Sequence, residues 1–308
     1  MNHVSFFSQM KLSLLTREKI FAIALITPCF LLVATLAFYP ILYSFYLSLH
    51  KIILGLPSLG QPFIGLENFR ELLSDKVAIH SLINTFIFVF SSTFLEIFFG
   101  LVIALVLNKH FRGRGMVRAA ILVPWAIPTV VSSQMWRFIF NDNYGLLNYI
   151  VFGSVTSSYT AWLAHPVSAF SAIVAADVWK TSSFAGLLIL AGLQTIPDEL
   201  YEAARIDGAS AWQQFRKITL PLIKPALLIA LLFRTMDAFR VFDLVFVMTQ
   251  GGPADSTNVL QFYGYKKIFA EGLMGYGSTI SVLVFLIIFI VAIFYIKVIG
   301  TRLFQEKG

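Results

Sequence analysis

The chain alternates long apolar blocks with short polar and charged segments. A helix needs roughly 20 consecutive apolar residues to cross a bilayer. Six blocks reach about that length, so the sequence predicts six membrane-spanning helices, at residues 20–49, 81–108, 119–140, 167–196, 226–250 and 273–296. The pattern therefore predicts an all-α, multi-spanning membrane protein.

The first block runs for thirty residues without a charge. That is longer than the apolar core of a signal peptide, and no small-residue cleavage site follows it at the usual distance. We therefore expect an uncleaved first helix, bent near Pro28 or Pro40 because proline disrupts the helical hydrogen bonds.

The stretch 143–166 is uncharged but rich in Ser, Asn, Tyr and Thr. It could hold a short helix lying in the membrane interface, at residues 145–152, or a further membrane hairpin. A hairpin would need two more apolar spans, so the interfacial helix is the prediction.

Composition supports a membrane protein, since 58% of the residues are apolar and 13% are charged, against about 45–50% and about 25% in soluble domains. The net charge of +7 lies in short clusters between the apolar blocks. No basic stripe interleaved with aromatic residues is present, which argues against a nucleic-acid partner.

The distribution of Lys and Arg predicts the orientation. Fourteen of them fall in the N-terminal segment, the second and fourth loops and the C-terminal tail, whereas six fall in the loops of the opposite side. By the positive-inside rule both termini are cytoplasmic. We therefore expect a cytoplasmic segment at 1–19, a transmembrane domain at 20–300 and a cytoplasmic tail at 301–308.

Metal and thiol chemistry find little support in the sequence. A single cysteine, Cys29, excludes an intramolecular disulfide and argues against a cysteine metal site. The five histidines are scattered without ligand spacing, so we expect no zinc or haem.

The most informative segment is the cytoplasmic loop 197–225. It predicts two short helices joined by a turn at Gly208, which can adopt the left-handed conformation that ends a helix. Thr195 with Asp198, and Ser210 with Gln213, have capping-box spacing, and Pro197 suits a first helical turn. Proline at positions 221 and 225 is expected to end the second helix.

A solvated connector would show the same capping signals, but two features indicate a partner. Trp212, Phe215 and Ile218 recur every three residues and give a cytoplasmic helix an apolar stripe. Glu202-Ala203-Ala204 places an acid beside residues small enough for close approach of another chain.

This loop resembles the EAA loop of the membrane subunits of binding-protein-dependent ABC importers. The matching positions are Glu202, Ala203, Ala204, Asp207, Gly208, Ala209, Phe215, Ile218, Leu220 and Pro221. The similarity continues over nearly the whole chain, through Tyr39-Pro40, Gly65 to Phe69, Asn84-Thr85, Pro124 to Pro128, Val178 to Lys180 and Thr249 to Pro253. It is strongest with the sugar-uptake branch, and Leu231 to Asp243 is most similar to maltose- and trehalose-type first permeases.

The resemblance implies a type I importer permease in the inner (plasma) membrane of a bacterium. It would carry a sugar or glycoside, of the maltose, trehalose or glucosylglycerol kind, by alternating access. Its partners would be a second homologous permease, two ATPase subunits and an extracytoplasmic solute-binding protein. Loop 197–225, with Trp212 on its second helix, would be the coupling helix in a groove of the ATPase. Glu202 would lie near a basic residue there, and Gly208 would set the bend.

The residues agree independently that this chain does not cradle ATP. It has no GxxxxGK[ST] phosphate loop and no Gly-Lys pair. We therefore expect no catalytic residues and no cofactor on this chain, with ATP and Mg²⁺ bound by the partner ATPase.

Charged residues inside the predicted spans need a partner or a wet cavity. In the fourth span Asp177, Lys180, Thr181 and Phe184 share one helical face. In the fifth span Arg234, Asp237, Arg240 and Asp243 follow at three-residue steps with alternating sign, and Phe233, Asp237 and Arg240 would share a face.

Two interpretations of these charges remain open, and they are compatible. One is an intrahelical ion-pair ladder that only fixes packing. The other is a polar cavity in which carboxylates and guanidinium groups bind sugar hydroxyls and Phe stacks on the sugar. The resemblance favours the cavity, lined by Asp177, Lys180, Thr181, Phe184, Phe233, Arg234, Asp237 and Arg240. Asp177, Asp237 and Arg240 stand where the maltose type is expected to have Asn, which leaves room for another glycoside or a zwitterionic solute.

Two further features carry paired interpretations. Glu96 lies alone on an otherwise apolar second span and is either a buried hydrogen-bonding group or a cavity residue. The turn-rich loop 250–257 is either a plain connector or, as the resemblance implies, a docking surface for the solute-binding protein.

Two competing functions are less well supported. An ion-driven secondary transporter could use Asp177, Asp237 and Asp243 as a relay, but it gives no reason for loop 197–225. A membrane hydrolase would need a nucleophile with its base or a metal cluster, and the sequence shows no such grouping.

Overall fold

The computed structural model describes residues 3–305 apart from 57, 59 and 154–159, with side chains described over 18–298 outside the same gaps. The segments 1–19 and 301–308, for which we predicted a cytoplasmic position, lie largely outside the described side chains. The helices are α1 His3–Val33, α2 Tyr39–Ser48, α3 Glu67–Ser74, α4 Lys76–Asn108, α5 Arg114–Ala126, α6 Thr129–Ile139, α7 Leu146–Phe152, α8 Pro166–Leu193, α9 Asp198–Ile206, α10 Ala211–Gln214, α11 Leu220–Leu222, α12 Lys224–Ala238, α13 Asp243–Met248, α14 Leu260–Tyr265 and α15 Met274–Gln305. In this part of the chain, β-pairing is limited to two isolated bridges, His50 with Phe63 and Ile53 with Leu273.

The fold is all-helical, as the hydropathy pattern predicts. Four helices are long and apolar enough to span a membrane without a sharp bend: Glu18–Ser48, Lys76–Asn108, Pro166–Leu193 and Met274–Val298. Two further candidates are bent pairs, Arg114–Ala126 with Thr129–Ile139 at 90° and Ala211–Leu222 with Lys224–Ala238 at 64°. Six spans result when each bent pair counts as one.

The third and fifth spans are not the single helices that we predicted at 119–140 and 226–250. The third span breaks after Ala126, where Pro124 and Pro128 remove backbone N–H donors. The fifth ends at Ala238, and the chain restarts as α13 at Asp243. No Gly or Pro lies between these two positions, so the apolar pattern alone cannot locate this break.

The first span is one helix without a sharp bend. Pro28 lies inside α1, and a π-helical turn at Ala34–Phe38 comes directly before Tyr39-Pro40. A π-turn shifts the hydrogen-bond register by one residue and so accommodates a proline that lacks its donor. The predicted helix at 145–152 is present as α7, with Gly145 as its N-cap and Gly153 in the left-handed conformation as its C-cap.

The core forms around α8, which packs most closely against α4. A Cβ atom placed on Gly100 of α4 would lie 2.9 Å from both the Cβ of Ala185 and the backbone nitrogen of Gly186 on α8. The two helices therefore touch backbone to backbone, as small residues allow in membrane bundles. This contact positions the polar residues of α8 directly beside those of α4.

Asp75 joins three helices at the end of the bundle opposite loop 197–225. Its Oδ1 caps α4 by accepting from the N–H groups of Val77 and Ala78. Its Oδ2 accepts from the hydroxyls of Tyr263 on α14, at 2.5 Å, and Tyr276 on α15, at 2.6 Å. Burial raises the pKa of Asp75, but these four hydrogen bonds outweigh it, so the pKa lies below its ordinary value.

The lowered pKa gives a testable pH dependence. A carboxyl whose pKa is lower in the folded state stabilises the protein at pH values above its unfolded pKa of about 3.9, and that stabilisation is lost as the pH falls through the folded value. We expect Asp75→Asn to lower the thermal midpoint in nanodiscs at pH 7 by about 3 °C or more. The difference from wild type should shrink between pH 5 and 3 (about one unit either side of the ordinary carboxyl pKa). An equal difference at both ends of that range would show that folding does not lower the pKa of Asp75.

Candidate functional site

A small polar pocket lies between α8 and the two breaks of the third and fifth spans. Its volume is about 120 Å³. The lining includes six of the eight residues that we predicted for solute binding: Asp177, Lys180, Thr181, Arg234, Asp237 and Arg240. Thr129 at the start of α6 and the segment 241–244, which joins α12 to α13, complete the wall.

Arg234 is the centre of this pocket. Its side chain is 3% exposed, and its guanidinium forms a two-point contact with Glu96 of α4, Nε to Oε2 at 2.5 Å and Nη2 to Oε1 at 2.9 Å. Its Nη1 donates to Asp237 Oδ2 at 2.5 Å, and its Nη2 lies 3.5 Å from Asp177 Oδ2. One arginine therefore bridges α4, α8 and α12.

Glu96 matches the interpretation as a buried hydrogen-bonding group. Its side chain is fully buried, and besides Arg234 it is reached by the Thr181 hydroxyl, 2.8 Å from Oε1. The same hydroxyl lies 2.6 Å from the carbonyl oxygen of Asp177 and can donate to either. Glu96 does not line the pocket; it holds the residues that do.

The ion-pair ladder, one of the two interpretations of the charges on the fifth span, is only partly formed. Asp237 bridges Arg234 and Arg240, with the Arg240 contact at 3.5 Å. Asp243 is not on the same helix, because α12 ends at Ala238. For the same reason Arg240 does not continue a helical face from Phe233 and Asp237. The charges are also not confined to one helix, because Arg234 pairs with Glu96 of α4.

Three charged groups of the pocket retain free bonding capacity. Asp177 Oδ2 is buried and makes no hydrogen bond. Asp237 pairs with both Arg234 and Arg240 but is 55% exposed, and Arg240 makes one long contact with Asp237 and is 64% exposed at the mouth. A buried acceptor facing an exposed acid and base can accept from and donate to a polyhydroxylated molecule.

Lys180 and the two predicted aromatic residues are engaged differently. The Lys180 ammonium donates to the carbonyl oxygens of Trp125 at 3.1 Å and Ile127 at 2.6 Å. Phe184 stacks on the Trp125 ring with centroids 5.5 Å apart, and Phe233 is exposed. Neither Phe side chain lines the pocket, so their contact with a solute stays a prediction.

Loop 197–225 folds as two helical segments around Gly208, whose φ is +77°. The capping box of Ser210 and Gln213 forms as predicted. The one at Thr195 does not, because the Thr195 hydroxyl donates to the Gly192 carbonyl and Pro197 takes the N-cap position. Pro221 does not end the second helix either, since a π-helical turn at Phe215–Thr219 accommodates it.

The outer face of this loop carries the residues that we predicted for partner contact. Trp212 is 67% exposed and stacks on Phe215 with centroids 5.5 Å apart, and Glu202 and Ala203 are exposed on the preceding helix α9. Ile218 departs from the expected stripe, because it packs against the buried core of α4, α8 and α12. The remaining predicted positions of the loop are exposed or half-buried: Ala204, Asp207, Gly208, Ala209, Leu220 and Pro221.

Loop 250–257 is held in an unusual backbone conformation. Gln250, Ala254 and Asp255 all have positive φ, at 52°, 48° and 57°, which non-glycine residues adopt only when their surroundings enforce it. The Asn84 side chain holds the end of this loop by donating to the carbonyls of Asp255 and Asn258 at 3.1 Å each. The loop is thus a fixed surface, and docking of a binding protein there stays a prediction.

Sequence reasoning missed two of these interactions, and one had a signal. A buried Arg234 and a lone Glu96 in separate spans each require a counter-charge, so the pair could have been predicted. The carbonyl partners of Lys180 exist only because the third span breaks. Among the described residues no cluster of three or more His, Cys, Asp or Glu could hold a metal ion.

Comparison with known proteins gives the family. Residues 96–305 match the model of the binding-protein-dependent transport system inner membrane component. The trehalose/maltose transport system permease protein MalF of Thermococcus litoralis is 44% identical, covering 92% of this chain and 94% of that protein. The trehalose permease SugA of Mycobacterium tuberculosis is 39% identical (92% and 90% covered), and the sulfoquinovosyl glycerol permease SmoG of Agrobacterium fabrum 36% (92% and 92%).

Solved structures agree on the fold. A bacterial ABC transporter that imports alginate matches with a TM-score of 0.80 at 19% identity, covering 94% of this chain and 99% of that one. An alginate transporter in complex with a periplasmic protein bound to an alginate pentasaccharide matches with a TM-score of 0.77 at 19% identity, covering 91% and 93%. The family match and the identities together show that this chain belongs to the inner membrane components of binding-protein-dependent transport systems.

Proposed function

We propose that this chain is the permease subunit of an ATP-driven importer, and that a sugar or small glycoside crosses the membrane through the pocket between α8 and α12. The observation that carries the proposal is the set of polar groups in that pocket that can bind further: the buried Asp177 Oδ2, which makes no hydrogen bond, and the exposed, ion-paired Asp237 and Arg240 at its mouth. Relatives that transport trehalose, maltose and sulfoquinovosyl glycerol support a glycoside as the solute.

The chemistry of the pocket suits a neutral polyhydroxylated solute. Carboxylates accept from sugar hydroxyls and a guanidinium donates to them in a fork. Opposite charges at one mouth let the site bind hydroxyls without demanding a charged solute. A zwitterionic glycoside would fit the same arrangement, with its cationic part at Asp237 and its anionic part at Arg240.

The pocket of about 120 Å³ is too small to enclose a disaccharide, since ligand sites usually measure about 300–1,000 Å³. In the proposed cycle this conformation is therefore a closed one. Alternating access would widen the pocket toward each side in turn, when a second permease and this chain move apart around it.

The proposed partners follow from the exposed loops. Two ATPase subunits would supply the energy, one of them receiving loop 197–225 with Trp212 and Phe215 in a groove and Glu202 beside a basic residue. A second permease homologous to this chain would complete the pathway, and an extracytoplasmic binding protein would deliver solute at loop 250–257. ATP and Mg²⁺ would be bound by the ATPase, because this chain has no phosphate-binding loop.

The pocket is tested by Asp177→Asn and Asp237→Asn in the complete importer, reconstituted in liposomes with trehalose-loaded binding protein. Each variant keeps the side-chain shape but weakens a charge-assisted hydrogen bond, and we expect the trehalose uptake rate to fall about tenfold or more. Asp142→Asn, in a loop outside the pocket, is the matched control. Unchanged uptake in both pocket variants would exclude the pocket as the solute path.

The same liposomes separate ATP-driven from ion-driven transport. We expect uptake to require ATP inside the ATPase-bearing compartment and to survive an uncoupler. Uptake that persists without ATP but stops with the uncoupler would instead support a secondary transporter using Asp177, Asp237 and Asp243 as a relay.

The coupling role is tested by Gly208→Val against Gly113→Val. Both glycines have positive φ, +77° and +86°, with open space around them, so both substitutions impose the same backbone strain of about 1–2 kcal/mol. We expect Gly208→Val to lower solute-stimulated ATP hydrolysis about fivefold or more and Gly113→Val to leave it nearly unchanged, because only the first lies in the coupling loop. Equal effects of the two variants would contradict the assignment.

A further inference from the structure

We propose that Lys180 is a positioning residue, which holds the break of the third span open and so shapes the pocket wall, and that it does not bind the solute. The inference rests on the proposed function, because it assigns a role within that pocket. It changes the expectation from sequence, which placed Lys180 among the solute ligands.

The break leaves two backbone carbonyls without a helical hydrogen-bond donor. In an unbroken helix the carbonyls of Trp125 and Ile127 would accept from the N–H groups of Thr129 and Val131. The 90° bend between α5 and α6 directs those N–H groups elsewhere. Backbone carbonyls without a donor are costly in the absence of water, so non-helical backbone at membrane depth persists only where a neighbour satisfies it.

The ammonium group of Lys180 donates to both of these carbonyls. Its Nζ lies 3.1 Å from the Trp125 oxygen and 2.6 Å from the Ile127 oxygen. A positive charge at the C-terminal end of a helix also complements the dipole of α5. The Phe184 ring, four residues on along α8, stacks on Trp125 and fixes the same corner from the apolar side.

The charge balance explains why the lysine is tolerated there. Lys180 is 7% exposed and takes part in no ion pair among the described residues. Asp177 lies one helical turn away on α8, and its Oδ2 makes no hydrogen bond. The ammonium therefore offsets the carboxylate through space while its own hydrogen bonds go to the backbone. Asp177 Oδ2, which lies 3.5 Å from Arg234 and makes no hydrogen bond, is the acceptor that a solute would use.

The contact of the Lys180 ammonium with the carbonyls of Trp125 and Ile127, here called the Lys180 clamp, also determines the shape of the pocket. Thr129, directly after the break, lines the pocket together with Asp177 and Lys180. If the carbonyls were released, α5 and α6 could straighten or shift, and Thr129 would move with them. Loss of the clamp should consequently affect the transport step, whereas solute affinity should depend on Asp177, Asp237 and Arg240.

The test compares Lys180→Met, which keeps the side-chain bulk but removes the donor, with Lys180→Arg, which keeps donors, in the complete importer in nanodiscs. Lys51→Met, an exposed lysine near the other end of the bundle, controls for loss of charge. Three quantities are measured: amide hydrogen exchange over residues 123–132, trehalose affinity of the importer without binding protein by equilibrium dialysis, and maximal uptake rate.

We expect Lys180→Met to raise amide exchange at the break about tenfold and lower the maximal uptake rate by a similar factor, with trehalose affinity changed less than about twofold. In Lys180→Arg, amide exchange at the break and the maximal uptake rate should both stay near their wild-type values. Lys51→Met should change neither of these two quantities. Weakened trehalose binding with unchanged exchange at the break would overturn the proposal and make Lys180 a solute ligand.

Two outcomes are handled separately. If wild type does not bind trehalose, the sugar assignment fails, but the exchange data still decide the role of Lys180. If Lys180→Met does not assemble, a density map of the wild-type importer with trehalose decides instead. Nζ on the two carbonyls supports the proposal, and Nζ on a sugar hydroxyl overturns it.

Discussion

A guanidinium group buried at the junction of three membrane helices constrains the rest of the molecule. Arg234 of α12 is 3% exposed, and the fully buried Glu96 of α4 contacts it at two points. A charged residue at the centre of a bilayer costs at least about 2.5–3.5 kcal/mol on insertion scales. Removing one partner from a buried pair typically costs about 3–5 kcal/mol, because the other charge is left unpaired. The two helices must therefore stay in register, with α8 between them.

The pocket is a consequence of this arrangement. Arg234 donates to Glu96 and Asp237, and it pairs with Asp177 Oδ2 only at 3.5 Å, so that oxygen makes no hydrogen bond. The backbone-to-backbone contact of α4 with α8 at Gly100 and Gly186 brings these side chains close. Stability and the proposed transport thus share one cluster: its buried part holds the helices together, and its exposed part, Asp237 and Arg240, would face the proposed solute.

Much of the fold could be predicted from the sequence. Membrane helices are recognised by the length of their apolar blocks, and helix caps depend on residues close together in the sequence. The all-helical architecture, the helix at 145–152, the turn at Gly208 and the cap at Ser210 depend on residues within a few positions of each other. The positions of six pocket residues followed from their spacing and from the resemblance to a known family.

The rest depends on contacts between distant parts of the chain. The end of α12 at Ala238 has no local breaker, so a continuous helix to residue 250 was the natural prediction and was wrong. The partner of Glu96 lies 138 residues away. The Thr195 hydroxyl donates to the Gly192 carbonyl of α8 and does not form the helix cap that its spacing from Asp198 suggests. At Ala238 and Glu96 tertiary packing decides between local alternatives of similar free energy, whereas the alternative at Thr195 is itself local, three residues away.

The dependence on the Arg234–Glu96 pair can be measured directly by a double-mutant cycle, in which Glu96→Met, Arg234→Met and the double variant are compared with wild type by thermal unfolding in nanodiscs. Each single variant leaves the buried cluster with one uncompensated charge, although Arg234 also contacts Asp177 and Asp237, whereas the double variant replaces the pair with apolar side chains and keeps the charges balanced. The account predicts that each single variant lowers the midpoint by more than the double variant does. Losses that add, so that the double variant is the least stable of the three, would contradict it.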